Sequence, residues 1–159
     1  MDSYTTEAAD SQENSFRIID ADQFVRLWSK TYNAQGNPDW SHILPYYDAN
    51  IHFRDSVQEL RGIDHFQEMV QRLVRRSGEL RMRLLNVTMQ GNIIHFEWEM
   101  TILFRKTRTS VLYGASRLTL NEQGKIVEQR DYYDLWGDIL DNIPAVSKLY
   151  RTFMRRVFG

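Results

Sequence analysis

Residues 93–104, IIHFEWEMTILF, alternate between apolar and polar side chains over most of their length. Successive side chains of a strand point to opposite faces, so a period of two predicts a strand with one covered face and one solvated face. Charged residues such as Glu97 and Glu99 are on the solvated face, which is typical of an antiparallel sheet that is covered on one side. The covered face carries Ile94, Phe96, Trp98, Met100, Ile102 and Phe104.

The segments around this strand predict the rest of a sheet. Long strands are expected at 80–90, 109–121 and 125–135, with hairpin turns at Gly91-Asn92 and at 122–125. A shorter strand is expected at 51–55, followed by a small partner at 57–61.

Apolar residues at three- and four-residue steps predict helices before, between and after these strands. They cover about 22–32, 39–47, 63–76 and, from residue 136 onward, a final segment that Pro144 kinks or splits. The order of elements predicts an α+β fold, with its helices collected on one face of the sheet.

Length and composition limit the kinds of function that fit. A chain of 159 residues with a formal charge of −1 predicts one globular domain and no nucleic-acid partner. There is no cysteine, which fits a cytoplasmic protein and excludes thiolate chemistry. Residues 1–15 are expected to form a mobile acidic tail, with a single domain over 16–159 that includes a C-terminal helical extension at about 136–158. No apolar run is long enough to span a membrane.

Several short motifs resemble the nuclear-transport-factor-2-like superfamily, and within it the SnoaL-like polyketide cyclases and ketosteroid isomerases. The motifs are YNAQGNPDW at 32–40, NIHFRD at 50–55, ELRGIDHFQEM at 59–69 and GKIVEQRDYYDLWGDIL at 124–140. The resemblance implies a cone-shaped, curved, mainly antiparallel sheet, with three helices packed into its concave face and a C-terminal helix added. It also implies an apolar pocket inside the cone and a homodimer formed through the sheet.

The same resemblance implies roles for individual residues. Asp55, which follows the first strand, matches the general base of the isomerases, and Asp131 matches the aspartate of the SnoaL-like cyclases. The isomerases' oxyanion-hole tyrosine and acid are replaced by Trp28 and Ser116, which weakens the case for a steroid isomerase. By period two, Asp131 faces the inside of the cone, whereas Asp134 faces outward and is expected to cap the next helix.

Two carboxylates in an apolar pocket would raise at least one pKa, which suits a base that removes a proton next to a carbonyl group. We therefore expect Asp55 and Asp131 to be the catalytic candidates. An alternative stays open for each: Asp55 pairs with Arg54 or Arg61 or caps a turn, and Asp131 pairs with Arg130 or Arg117. The expected substrate-binding residues are Trp28, Tyr32, Phe53, Phe96, Trp98, Ser116, Gln129 and Tyr133.

The resulting prediction is an isomerase or cyclase that acts by proton transfer on a small hydrophobic carbonyl compound. The alternative is a non-catalytic ligand-binding or dimerisation module, and an epoxide hydrolase ranks third because Arg130 and Asp131 point to opposite faces. The spacing of the four histidines gives no support for a metal site, and no cofactor is expected. The basic C-terminal helix is expected to pack on the sheet or close the cone rather than contact a membrane.

Overall fold

The sheet of this protein has six strands, seen in a computed structural model that describes residues 16–32, 35–104, 109–139 and 144–159. The acidic tail predicted at residues 1–15 lies outside this range. The spatial order is β2-β1-β6-β5-β4-β3, in which β1 and β6 are parallel and all other neighbours are antiparallel. The strands are β1 Tyr47–Arg54, β2 Glu59–Arg61, β3 Ser77–Gln90, β4 Ile93–Phe104, β5 Thr109–Leu120 and β6 Ile126–Tyr133.

The long strands β3, β4 and β5 curve and form one wall of a cone. The ladder of hydrogen bonds between β3 and β4 is interrupted by two register shifts, one between Ser77 and Glu79 and one between Leu84 and Asn86. Such bulges bend a strand and increase its twist, which lets the sheet wrap around the elements on its inner face. The predicted α+β fold class and the curved, mainly antiparallel sheet implied by the family resemblance are confirmed.

Two α-helices precede the long strands. Helix α1, Ala21–Thr31, begins at Asp20, whose carboxylate accepts a hydrogen bond of 2.6 Å from the backbone N–H of Gln23. Helix α2, Ile63–Arg76, begins after Gly62, which has a φ of +88°. Glycine adopts this conformation without the strain that a side chain would add, so the chain can turn sharply from β2 into the helix.

The helix expected at about 39–47 is instead a pair of 3-10 turns, Trp40–His42 and Leu44–Tyr46, followed directly by β1. Pro45 explains the difference, because it lacks an N–H and disfavours the α conformation for the residue before it. Tyr47 consequently belongs to a strand that lines the inside of the cone.

The core lies between the sheet and the helices and is rich in aromatic rings. Trp28 of α1 is 2% exposed and lies 4.9 Å from the ring of Phe96 and 5.9 Å from that of Trp40. Phe66 of α2 contacts Tyr47, with ring centroids 4.8 Å apart. Burying such large rings supplies much of the hydrophobic stabilisation and leaves a hollow towards the open end of the cone.

After β6 the chain forms a π-helical turn, Leu135–Ile139, and then helix α3, Pro144–Phe158. Asp134 accepts hydrogen bonds from the backbone N–H groups of Trp136 and Gly137, which confirms its predicted capping role. The apolar side of α3 remains open, since Leu149 is 75% and Phe153 59% exposed. The sequence predicted that this helix packs on the sheet or closes the cone, and its exposed apolar residues show no packing on the sheet. Over the described residues, no helix is long and apolar enough to cross a bilayer.

Candidate active site

A cavity of about 340 Å³ opens between α2, the inner face of the sheet and the turn that follows β1. Both predicted carboxylates, Asp55 and Asp131, contribute to its wall. Most of the remaining wall is apolar, and it includes Phe66, Met69, Leu73, Met82, Met100 and Leu112. A largely apolar pocket with a few convergent polar groups is the usual form of a small-molecule site.

Asp131 lies within a network of hydrogen bonds on the inner face of β5 and β6. Its Oδ1 atom accepts one bond of 2.6 Å from the Ser116 hydroxyl and one of 3.0 Å from the Gln129 amide. Its Oδ2 atom accepts a longer bond of 3.2 Å from the same amide. Oδ2 is thus the less engaged of the two carboxylate oxygens.

Two further donors hold this network in place. The Trp98 indole N–H donates to the Ser116 hydroxyl over 2.9 Å, and the Tyr47 hydroxyl donates to the Gln129 carbonyl oxygen over 2.6 Å. Ser116 and Gln129 are buried, at 3% and 4% exposure. Because Ser116 and Gln129 each have a further partner in this network, the orientation of Asp131 is fixed from both sides.

Burial raises the pKa of Asp131 from 3.8 to about 6. The hydrogen bonds from Ser116 and Gln129 lower this pKa and the nearby charge of Asp55 raises it, but burial is the largest influence. A carboxylate with such a pKa is largely ionised at neutral pH and is more basic than an ordinary aspartate. This is the property that a general base for a weakly acidic proton requires.

Asp55 is held differently. Its Oδ1 atom accepts the backbone N–H groups of Val57 and Gln58 at 2.7 and 2.8 Å, and its Oδ2 atom accepts the Tyr133 hydroxyl at 3.2 Å. Asp55 therefore caps the turn between β1 and β2, as one of the alternatives from the sequence foresaw. Arg54 and Arg61 approach Glu59 instead.

The tyrosines of this region stay protonated at neutral pH. Burial and the charges of Asp55 and Asp131 raise the pKa of Tyr133, while burial and the charge of Asp131 raise that of Tyr32. Tyr133 donates to Asp55, whereas the Tyr32 hydroxyl has no hydrogen-bond partner among the described residues. Tyr32 lies in the cavity wall, where a ligand can accept its proton.

The sequence of residues 22–129 matches the family model of the SnoaL-like domain. The chain belongs to this family. The match spans most of the chain and includes β1 to β5 and the residues that hold Asp131 in place, although Asp131 itself follows the matched segment.

Solved structures similar to this SnoaL-like protein share its fold at low sequence identity. A candidate SnoaL-like polyketide cyclase from Jannaschia sp. CCS1 is 18% identical, with a TM-score of 0.64 over 81% of this chain and 96% of that one. A hypothetical protein of ketosteroid-isomerase-like fold from Catenulispora acidiphila, in complex with trimethylamine, is 12% identical, with a TM-score of 0.65 over 80% and 97% of the two chains. The family match confirms the predicted superfamily, and these likenesses show the same fold.

An epoxide hydrolase from M. tuberculosis is also similar, at 14% identity and a TM-score of 0.62 over 83% of this chain and 97% of that one. In the SnoaL-like protein, however, Arg130 lies next to the ring of Tyr132, 5.2 Å from its centroid, and is not part of the cavity wall. No curated protein matches this sequence.

The structure brings seven of the eight predicted substrate-binding residues to the cavity. These are Trp28, Tyr32, Phe53, Trp98, Ser116, Gln129 and Tyr133. The eighth, Phe96, packs in the core 5.0 Å from the ring of Phe24. It shares a strand face with Trp98 but lies deeper, where α1 covers the sheet. The Trp28 indole N–H donates to the Met82 sulfur at 2.9 Å, so this donor is already engaged.

Sequence reasoning missed many residues of the wall or its support, and three of them bear on the chemistry of the site. The sequence predicts Tyr47 in a helix; its position four residues before Ile51, in a segment of inward-facing residues, is the signal that points to the strand. Arg72 and Arg76, on α2, line the cavity although a basic helix end is usually solvated. Their four-residue spacing, in phase with Met69 and Leu73, was the signal for these two.

The histidines of the SnoaL-like protein do not form a metal site. Over the described ranges, no group of three or more histidine, aspartate or glutamate residues is placed to hold an ion. His52 contacts Glu59 at 2.7 Å, and His42 lies 3.3 Å from Asp39. His95 is exposed on the outer face of β4, across from Arg117 on β5.

Proposed function

We propose that this SnoaL-like protein is an isomerase or cyclase that transfers a proton on a small hydrophobic carbonyl compound, with Asp131 as the base. The observation that carries the proposal is the setting of Asp131, which is a partly buried carboxylate with a pKa of about 6 in the wall of a largely apolar cavity. A carboxylate needed only for stability would be better placed against a cation, since a buried unpaired charge is costly.

In the proposed reaction, Oδ2 of Asp131 removes a proton from the carbon next to the substrate carbonyl. The electron pair of that C–H bond forms the enolate, and its oxygen accepts a hydrogen bond from the hydroxyl of Tyr32. The protonated Asp131 then returns the proton to another carbon, which completes an isomerisation. In a ring closure the enolate carbon instead attacks a second carbonyl of the same molecule, and the new alkoxide takes the proton.

The proposed roles follow from which donors are already engaged. Trp28 donates to Met82, Trp98 to Ser116 and Tyr133 to Asp55. Tyr32 and the indole N–H of Trp40 remain without partners among the described residues of the wall, and we assign the oxyanion to Tyr32 because the charge of Asp131 contributes to the raised pKa of this tyrosine. A neutral phenol beside a developing negative charge stabilises the transition state more than the ground state, as oxyanion stabilisation requires. Asp55 is assigned to orienting Tyr133 rather than to proton removal.

The test is hydrogen–deuterium exchange at the acidic carbons of 2-tetralone, a hydrophobic ketone, followed by proton NMR in deuterated buffer. We expect the protein to accelerate the exchange above the buffer rate and the Asp131→Asn variant to lose at least about 100-fold of that acceleration. Asp134→Asn, which changes a carboxylate on the opposite face and keeps an oxygen to cap the turn, is the matched control. Binding of the ketone without any acceleration would instead support a non-catalytic ligand-binding module.

The outer face of the sheet offers a place for the predicted homodimer. Leu103, Val111 and Tyr113 are 37%, 42% and 55% exposed there, next to charged residues of β4. We propose that two copies associate through this face in the cytoplasm. Light scattering on the purified protein is expected to give twice the mass of one chain, and Val111→Lys to give a single chain. A monomer in both samples rejects this part of the proposal.

A further inference from the structure

Two arginines line the same cavity as Ser116 and Gln129 but are more exposed to solvent. Arg72 and Arg76 stand four residues apart on α2, so they lie on the same face of the helix, and both contribute to the cavity wall. Arg76 is exposed and Arg72 is half-buried, whereas Ser116 and Gln129 are buried. The cavity therefore has an acidic inner end and a basic outer end.

The charge at the outer end is only partly compensated. Arg72 has one carboxylate in range, that of Glu68, with 3.8 Å between Nη1 and Oε2 in a partly exposed pair. Arg76 has no ion pair with a described residue. Asp55 also lines the cavity, but the backbone of its turn and Tyr133 already donate to both of its oxygens. Since exposed pairs at such distances are weak, both guanidinium groups can turn towards an anion.

This distribution of charge orients any ligand that carries an acidic group. At the inner end, an anion would meet the carboxylate of Asp131 and lose its hydration in an apolar setting, which is unfavourable. At the outer end the same anion stays partly hydrated and meets two guanidinium groups, which bind carboxylates through paired N–H donors. The apolar part of the wall, which includes Met69 and Leu73, suits a hydrocarbon body.

We infer that the ligand of this cavity is an amphiphilic carboxylic acid, whose carboxylate lies beside Arg72 and Arg76 and whose apolar body reaches inward. If the proposed function holds, on which this assignment of the reacting end rests, the carbonyl group of the same molecule lies at Asp131. The arginines then bind the substrate in one direction and place its reactive carbon at the base. They contribute to binding and positioning, and Asp131 contributes the chemistry.

The experiment compares two probes of the same shape by isothermal titration calorimetry at low salt: 2-naphthylacetate, which is anionic, and 2-naphthylethanol, which is neutral. We expect the wild-type protein to bind the carboxylate at least about fivefold more tightly than the alcohol. Arg76→Gln and Arg72→Gln should each reduce this preference, and the double variant should remove it. Affinity for the alcohol should remain within about twofold in all of them.

Two control variants locate the effect. Arg75→Gln removes a charge from the same helix end but from a side chain outside the cavity wall. Arg156→Gln removes one from α3, which also combines arginines with exposed apolar residues. Both controls should keep the wild-type preference. Equal affinities for the two probes, no binding of either probe, or an equal loss of preference in a control variant would overturn the inference.

The result of this binding experiment does not depend on whether the proposed reaction occurs. The preference between the two naphthyl probes depends on α2 and needs no proton transfer, so Asp131→Asn should retain it while losing ketone exchange. A protein that prefers the carboxylate but never accelerates exchange would keep the ligand class and reject the reaction. A protein that accelerates exchange but binds the two probes equally would keep the reaction and reject the ligand class.

Discussion

The Ser116 hydroxyl donates a 2.6 Å hydrogen bond to Oδ1 of Asp131, so one carboxylate oxygen is held by the sheet while the other is less engaged. The hydroxyl can do this in a fixed direction because the Trp98 indole occupies one of its acceptor positions. A base held in this way loses little freedom when a substrate arrives, which is the benefit of preorganisation.

Ser116→Ala tests this arrangement through the pKa of Asp131. A hydrogen bond to the charged form lowers the pKa of an acid, so removing it should raise the pKa of Asp131 further above about 6. The Trp98 N–H also loses its acceptor, which should reduce the free energy of unfolding by about 1–3 kcal/mol. The pKa is read from the carboxyl carbon shift in a pH titration by NMR.

Ser110→Ala is the control for that measurement, because Ser110 is a buried serine of the same strand that is not part of the cavity wall. It should leave the pKa of Asp131 unchanged. A pKa that falls in Ser116→Ala would contradict the direction of the hydrogen bond.

The raised pKa of Asp131 also predicts how stability depends on pH. Between about pH 4 and pH 6 the folded protein keeps a proton on Asp131 that the unfolded chain has released, since the pKa is about 6 when folded and 3.8 otherwise. The folded state binds more protons, so its free energy of unfolding falls as the pH rises through this window and then levels off. The loss due to this one group is at most about 3 kcal/mol.

Asp131→Asn removes this pH-dependent decrease in the free energy of unfolding. Urea denaturation of the wild type and the variant at several pH values therefore isolates the contribution of Asp131. The free energy of unfolding of the variant, relative to that of the wild type, should increase from pH 4 to pH 6 and stay constant above. All other titrating groups are shared by the two proteins and largely cancel. Parallel curves across this window would show that the pKa of Asp131 is not raised.

The sequence predicted the part of the cavity wall on β6 better than the part on α2. The alternation along β6 placed Gln129, Asp131 and Tyr133 on one face, and the structure has all three in the cavity wall. A period of two is a strong signal, because a strand has only two faces and one of them is covered here.

The outer end depends on how separate elements approach one another, which no local pattern contains. Arg72 and Arg76 carry the charges of an ordinary solvated helix end, and only the position of α2 relative to the sheet makes them part of the cavity wall. In the same way, the helix expected at Tyr47 does not form because of Pro45. Tyr47 belongs to β1 instead, where its hydroxyl donates to Gln129. Phe96 has the right face for the cavity wall, but α1 covers it.

Two adjacent tyrosines provide a matched pair for testing the inner and outer faces of β6. Tyr133→Phe removes the donor to Asp55 and keeps the ring that packs near Trp98, at 6.1 Å between centroids. It should slow the exchange of 2-tetralone less than tenfold, because Asp131 keeps its own partners, and lower the free energy of unfolding by about 1 kcal/mol. Tyr132→Phe, on the exposed face, should change neither quantity.

If Tyr133→Phe instead abolished exchange as fully as Asp131→Asn, Tyr133 would take part in the proton transfer and the assigned role of Tyr32 would fall. Comparing both with Tyr32→Phe completes the set. That variant should reduce exchange by about 10- to 1,000-fold, because it removes the proposed oxyanion donor.

Gly114 of β5 is opposite Trp98 of β4, and a side chain there would overlap the indole ring. Gly114→Ala should therefore displace Trp98, break its hydrogen bond to Ser116 and lower the free energy of unfolding by about 1–3 kcal/mol, the usual cost of overpacking. Gly78→Ala is the control, since its new Cβ would meet its nearest neighbour, the Leu103 carbonyl oxygen, at 3.4 Å. Urea denaturation and the pH titration of Asp131 measure both effects. A Gly114→Ala protein with unchanged stability would mean that Trp98 can move aside without disturbing the network that holds Asp131.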